Sequence, residues 1–236
     1  MKTISEVMEA LKSKGSASTC RIMARHGVTR PMFGVKIGDL KIIAKQIKGD
    51  QKLALALFDT GIFDAMYLAG LVASGSEMSK KQLDDWAKTA NCESISAYTI
   101  PWVTAESPHA RELALKWMKA KSPGVASSGW STYAGIVALT PDVDLNLDEI
   151  RKLLAQVVDS IHKAPNKVRY AMNGFVISVG TYVKPLLKEA KAAAKAIGKV
   201  EVDMGDTSCK VPLATDCIKK VESMGRVGKK RKTMKC

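Results

Sequence analysis

GVKIGDLKIIAKQIKGDQKLALALFDTGIFDAMYLAGLVAS, residues 34–74, carries three apolar stripes in succession at helical spacing. Leu40, Ile43, Ala44 and Ile47 fall at i, i+3, i+4 and i+7; Leu53, Ala54, Leu57 and Phe58 repeat the stripe, and Phe63, Met66, Tyr67 and Gly70 repeat it again. Gly49-Asp50 and Thr60-Gly61 interrupt them, so each predicted helix has its own stop and start. Helices this short are marginal alone, because nucleation fixes many dihedrals for one hydrogen bond. Their stability has to come from stacking one apolar face on the next, which is the physics of an α-solenoid.

The pattern continues on both sides. Ser5 starts a helix ending at Gly15, and Ser16 and Ser18 cap a second through Cys20, Ile22, Met23 and His26, ending at Gly27. Downstream, Ser79 and Gln82 form a capping box ahead of Leu83, Trp86 and Ala87. Residues 92–102 read as a weaker helix interrupted by Pro101, and Ser107-Pro108 open the next as N-cap and N1. The helix over 125–139 is rich in Ser, Gly and Ala, which predicts close helix packing. Asn146 caps 147–162, Pro165 opens a helix through Tyr170 and Phe175, and 182–197 reads as a final long helix.

The C-terminal part changes character. Residues 200–202 alternate like a short strand, 204–210 (MGDTSCK) form a turn, and Pro212 starts a helix that Asp206 and Thr207 would cap. The expected architecture is all-α: about thirteen helices in an α-α superhelix of antiparallel helix pairs. One domain spans 1–225, with 200–225 as its C-terminal cap. Residues 226–236 form a basic tail without apolar periodicity, expected to be unpacked, so that its removal leaves the fold intact.

A chain of 236 residues with 46% hydrophobic residues is long enough for a substantial core. It has no apolar run near the ~20 residues a membrane helix needs, and its N-terminus reads as a capped helix and not a signal peptide, which predicts a cytoplasmic protein. The five cysteines, Cys20, Cys92, Cys209, Cys217 and Cys236, are odd in number and widely spaced, which argues against a disulfide framework or a zinc site. Phosphate-binding glycine loops, metalloprotease His pairs and nucleophile elbows do not occur, so no cofactor or metal is expected. The net charge of +14 points to a polyanionic partner. Arg226, Lys229, Lys230, Arg231, Lys232 and Lys235 supply six of those charges from an acid-free tail, leaving the body at about +8.

The Gly-Val-Lys opening at 34–36, the Leu-Lys-Ile-Ile-Ala-Lys helix, the Ala/Leu/Phe helix and the third helix with Tyr-Leu-Ala together resemble the HEAT-like-repeat DNA alkylation repair proteins, a family that contains alkylpurine DNA glycosylases. The likeness runs over about residues 4–198. It implies DNA as partner, a concave basic cleft, and a monomer. It also implies a site in which a Trp and an Asp one turn apart, a second Trp and arginines surround a lesion-bearing nucleotide. A carboxylate and indoles suit that chemistry, because a cationic base leaves through an oxocarbenium-like sugar. By this resemblance the first Trp position is Cys92, the Asp position Ser96, the second Trp position Gly174, and the arginine segment Trp130-Ser131-Thr132-Tyr133, with Thr132 at the arginine. The excision chemistry is therefore expected to be lost or weak.

Glu93 is the one nearby carboxylate and the candidate for a true glycosylase, with a first-turn helix charge as its structural alternative. Ser96, Thr132, Tyr133 and Asn173 are candidate cleft residues able to hydrogen-bond sugar or phosphate. Candidate DNA-backbone contacts are Lys36, Lys41 and Lys45, then Lys163, Lys167 and Arg169 at the Pro165 turn, and Lys229, Lys230, Arg231 and Lys232 in the tail. Trp86, Trp102, Trp117 and Trp130 fall on apolar stripes and read as core. By the same resemblance, GDTSCKVP, 205–212, is similar to a segment of a branch of the family lacking the catalytic residues, with a structural turn as its alternative reading. A third reading keeps the superhelix as a protein-interaction scaffold.

Overall fold

The computed structural model describes residues 3–90 and 92–235; Met1, Lys2, Asn91 and Cys236 lie outside them. The first half contains α1 (Ile4–Lys14), α2 (Ala17–Arg25), α3 (Ile37–Gln46), α4 (Gln51–Asp59), α5 (Phe63–Val72), α6 (Lys80–Thr89) and α7 (Ile100–Ala105). The second contains α8 (Ala110–Met118), α9 (Pro123–Leu139), α10 (Leu147–Ser160), α11 (Asn166–Tyr182), α12 (Leu187–Ile197) and α13 (Ala214–Ser223). No strand occurs among the described residues, and residues 200–202 are irregular where a short strand was expected.

The three predicted helices of 34–74 are α3, α4 and α5. Asp50 caps α4 through Leu53 N–H, and the apolar stripes are buried apart from the half-buried Ala44. An inner row runs α3, α5, α7, α9, α11, with α4, α6, α8, α10 and α12 packed against it. Close approach within the pairs needs small residues: a Cβ on Gly129 of α9 would lie 2.6 Å from the Met118 amide nitrogen and 2.8 Å from the Ala114 carbonyl oxygen. All four tryptophans are buried, as their stripes predict.

Pro101 does not interrupt its helix. A π-helical turn, Ile95–Thr99, leads straight into α7, and Ile100 N–H reaches back to the Ile95 carbonyl. In an ordinary α-helix the proline ring would meet the carbonyl four residues back, and the wider turn makes room for it. The expected 182–197 helix is instead broken at Val183, with a 3₁₀ turn at Lys184–Leu186 around Pro185 before α12. Leu213, without a side-chain cap, precedes α13; Thr207 instead serves its own turn, donating to Met204 O and accepting from Cys209 N–H.

The basic tail is packed, which corrects the expectation of a free one. It runs back along the C-terminal ends of the inner row as a strap. Gly228 N–H donates to Thr181 O at the end of α11, and Arg231 N–H to Ala138 O at the end of α9, at 2.9 and 2.8 Å. Lys230 Nζ donates to Val137 O at 2.9 Å and pairs with Asp142 at 2.8 Å. Thr233 and Met234 hydrogen-bond Glu106 beyond α7, Met234 packs on the core, and Lys235 Nζ donates to Ala73 O at the end of α5. The physical reason is the carbonyl-rich, electronegative end of each helix, which a cation or a free N–H satisfies.

Candidate nucleic-acid interface

The opposite ends of α5 and α11, with the start of α3 and the end of α2, border a cavity of about 590 Å³. Ile37 opens α3, Phe63 opens α5, Glu93 and Ser94 precede the π turn, and Asn166 and Lys167 open α11; all line the cavity. Tyr67, Tyr98 and Tyr170 add aromatic wall, and Arg25, His26 and Lys210 add basic groups. The start of α5 is fixed by Asp64, a buried carboxylate that accepts N–H from Phe33, Gly34 and Val35 at 2.6, 3.3 and 2.7 Å. It ties the loop before α3 to α5, with three charge-assisted hydrogen bonds in place of solvent.

The 203–210 loop, which contains GDTSCK, closes one side. Asn166 clamps it with a reciprocal pair: Nδ2 donates to Asp203 O at 2.8 Å, and Asp203 N–H donates to Oδ1 at 2.7 Å. Gly205 has φ +69°, and a Cβ there would stand 2.7 Å from Arg25 O. The loop therefore reaches from α11 to the end of α2 only because that position is glycine.

Glu93 faces the cavity, with Lys167 Nζ 3.6 Å from its Oε2. Burial pushes its carboxyl above the usual range and Lys167 offsets part of that. The Tyr98 hydroxyl is held far above its ordinary value by burial first, then by Tyr170 and Glu93, so it stays a neutral donor. The cavity thus offers phenols, the Glu93 carboxylate paired with Lys167, the Asp203 carboxylate accepting from Gly205 N–H, and a basic rim. No indole lines it.

The candidate cleft residues are elsewhere. Ser96, Thr132, Tyr133 and Asn173 are each no more than 2% exposed. Ser96 Oγ donates to Ala90 O, its carbonyl accepts from Ser128 Oγ, and Tyr133 donates to Glu149. Asn173 donates to Pro212 O, anchoring the segment before α13. Thr132 Oγ1 and Asn173 Oδ1 are buried without a hydrogen-bond partner among the described residues. All four side chains lie between closely packed helices, a role that residue type alone does not separate from cleft lining. Cys92 is buried as well, whereas a Cβ on Gly174 would meet open space.

Among the backbone candidates Lys167 lines the cavity, and exposed Lys36 and Lys163 flank it by one and three residues from Ile37 and Asn166. Lys41 and Lys45 are exposed farther along α3. Arg169 is half-buried and acts on Glu201. Lys230 is turned inward, while Lys229, Arg231 and Lys232 are exposed on the strap. Arg25, Tyr67, Asn166, Tyr170 and Lys210 were not among the sequence candidates; only the GDTSCK segment signalled part of this wall.

The sequence profile of the DNA alkylation repair enzyme family matches residues 7–193. The chain belongs to that family. Two Listeria relatives of this DNA alkylation repair family member, the uncharacterized proteins Lin0241 of L. innocua serovar 6a and Lmo0209 of L. monocytogenes serovar 1/2a, are 31% and 30% identical. Each alignment spans 94% of this chain and 99% of the relative. A solved structure superposes with a TM-score of 0.89 at 35% identity, covering 99% of both chains. It represents a new family of proteins related to the HEAT-like repeat DNA glycosylases with affinity for branched DNA structures. The fold is accordingly an all-α superhelix of HEAT-like repeats. No helix among the described residues is long and apolar enough to cross a membrane.

Proposed function

We propose that this protein binds DNA through its backbone phosphates, as a monomer, along the edge where the inner helices begin, and that it favours branched structures. One observation carries the reading: Arg25, Lys36, Lys163 and Lys210 gather at the cavity and its rim, and none has an ion-pair partner among the described residues. Helix starts on the same edge add positive potential. The branched preference follows the likeness to the solved structure. Base excision is lost or weak, because Glu93 is already neutralised by Lys167 and the cavity has no indole to stack on a cationic base.

The test is fluorescence anisotropy on a linear duplex and a four-way junction across a salt series. Four cations on phosphates give a log–log slope of roughly −3 to −4, because each contact releases about 0.9 counterion. No binding at low salt, or a flat response, would sink the reading and favour the protein scaffold.

Glu93's place in the cavity favours a second reading, a glycosylase using that carboxylate. Base release from methylated DNA by wild type and Glu93→Gln separates the two. Release near background in both is expected; robust release that the substitution abolishes, a loss of about 10²–10³ if it resembles removal of one electrostatic donor, would make Glu93 catalytic.

A further inference from the structure

The strap holds its cations in two sets. Lys230 and Lys235 turn inward onto helix-end carbonyls, and the strap's inward groups also occupy the nearby carboxylates Asp142 and Glu106. Lys229, Arg231 and Lys232 are left exposed, and none has an ion pair among the described residues. Three like charges within four residues, fixed on a packed backbone and stripped of local acids, repel one another until a polyanion neutralises them.

Their position matters as much as their charge. The strap touches α5, α9 and α11 at their C-terminal ends, and the cavity lies at the starts of α5 and α11. The two cationic edges therefore stand a helix length apart, about 15 Å along the ten-residue α5 and about 25 Å along the seventeen-residue α11 at 1.5 Å per residue.

We propose that Lys229, Arg231 and Lys232 form a second DNA-backbone surface, across the inner row from the cavity, that takes a second arm of a branched DNA. The proposal rests on the reading that the cavity edge binds DNA, and adds to it the source of the branched preference. A duplex following the cavity edge leaves the strap empty. A branch point supplies an arm to each edge, and the second contact then forms at high effective concentration.

The experiment compares linear duplex and four-way junction for wild type, Lys229→Ala/Arg231→Ala/Lys232→Ala, and Lys36→Ala/Lys163→Ala. The strap variant is expected to lose roughly tenfold or more on the junction while staying within about twofold on the duplex. Its salt slope on the junction is expected to fall by about 2–3. The cavity-edge variant weakens both substrates. Equal loss on both substrates by the strap variant, or no loss on either, overturns the proposal. Wild type that ignores linear duplex, or is indifferent to the cavity-edge substitutions, rejects the underlying DNA reading instead. Arg231 Nε donates to Thr233 O, so if the triple variant melts early, Lys229→Ala/Lys232→Ala carries the comparison, with the junction-selective loss as its supporting result and its absence as the refuting one.

Discussion

Asp84 joins two helices of the outer layer, α6 and α8, through its charge. Burial alone would raise its carboxyl, but hydrogen bonds from Lys88, Trp117 and Lys116 hold it well below the carboxylate range. The Trp117 Nε1–H and Lys116 Nζ bonds are 2.8 and 2.9 Å and join α6 to α8. A carboxylate with a depressed folded-state pKa stabilises fully above its unfolded value of about 4, and the contribution fades as pH falls below that. Asp84→Asn is expected to cost about 2–3 kcal/mol at pH 7, the worth of bonds to a charged acceptor, in urea unfolding. The gap from wild type should close progressively below about pH 4. A gap that stays constant with pH would show that shape and not charge holds the site.

At the scale of elements, the cavity depends on how separate segments meet. The π turn at Ile95–Thr99 carries Ala97 and Tyr98 to the wall, and Pro101 supplies the reason for its width. Opposite it, the 203–210 loop is held to α11 by Asn166. Asn166→Ala removes both bonds of that clamp, at a cost of about 1–2 kcal/mol to the local stability of the loop. Faster amide exchange is expected at residues 203–210, with α3 to α9 unchanged. Unaltered exchange in the loop would mean that Gly205 against Arg25 suffices to hold it.

For the whole molecule, the strap touches α5, α9 and α11 and the residue after α7 together. Deleting residues 228–236 exposes the Met234 contact and leaves helix-end carbonyls without their donors. The expected loss is about 3 kcal/mol, from one partly buried apolar side chain and a few hydrogen bonds. That is a fall in Tm of several degrees for a chain this long. An unchanged melting curve would return the tail to the status of a free appendage.

By itself, the sequence determined what local periodicity and capping determine. The stripes of 34–74, the Ser79–Gln82 box, the Asn146 cap and the buried tryptophans are all present as the residues require, because apolar spacing and caps act within a few residues. Glu93 and Lys167 were also legible as candidates, and the fold brings them into one cavity. Tertiary structure decided the rest. Ser96, Thr132, Tyr133 and Asn173 became packing groups because other segments bury them, and Tyr133 and Asn173 find their partners, Glu149 and Pro212, on those segments. Asp64 gained its role from amides about thirty residues away, and the tail gained its path from helix ends far upstream. A lysine's partner, whether a helix-end carbonyl, a carboxylate or a phosphate, is set by what the fold places opposite it, and charge along the chain carries no record of that.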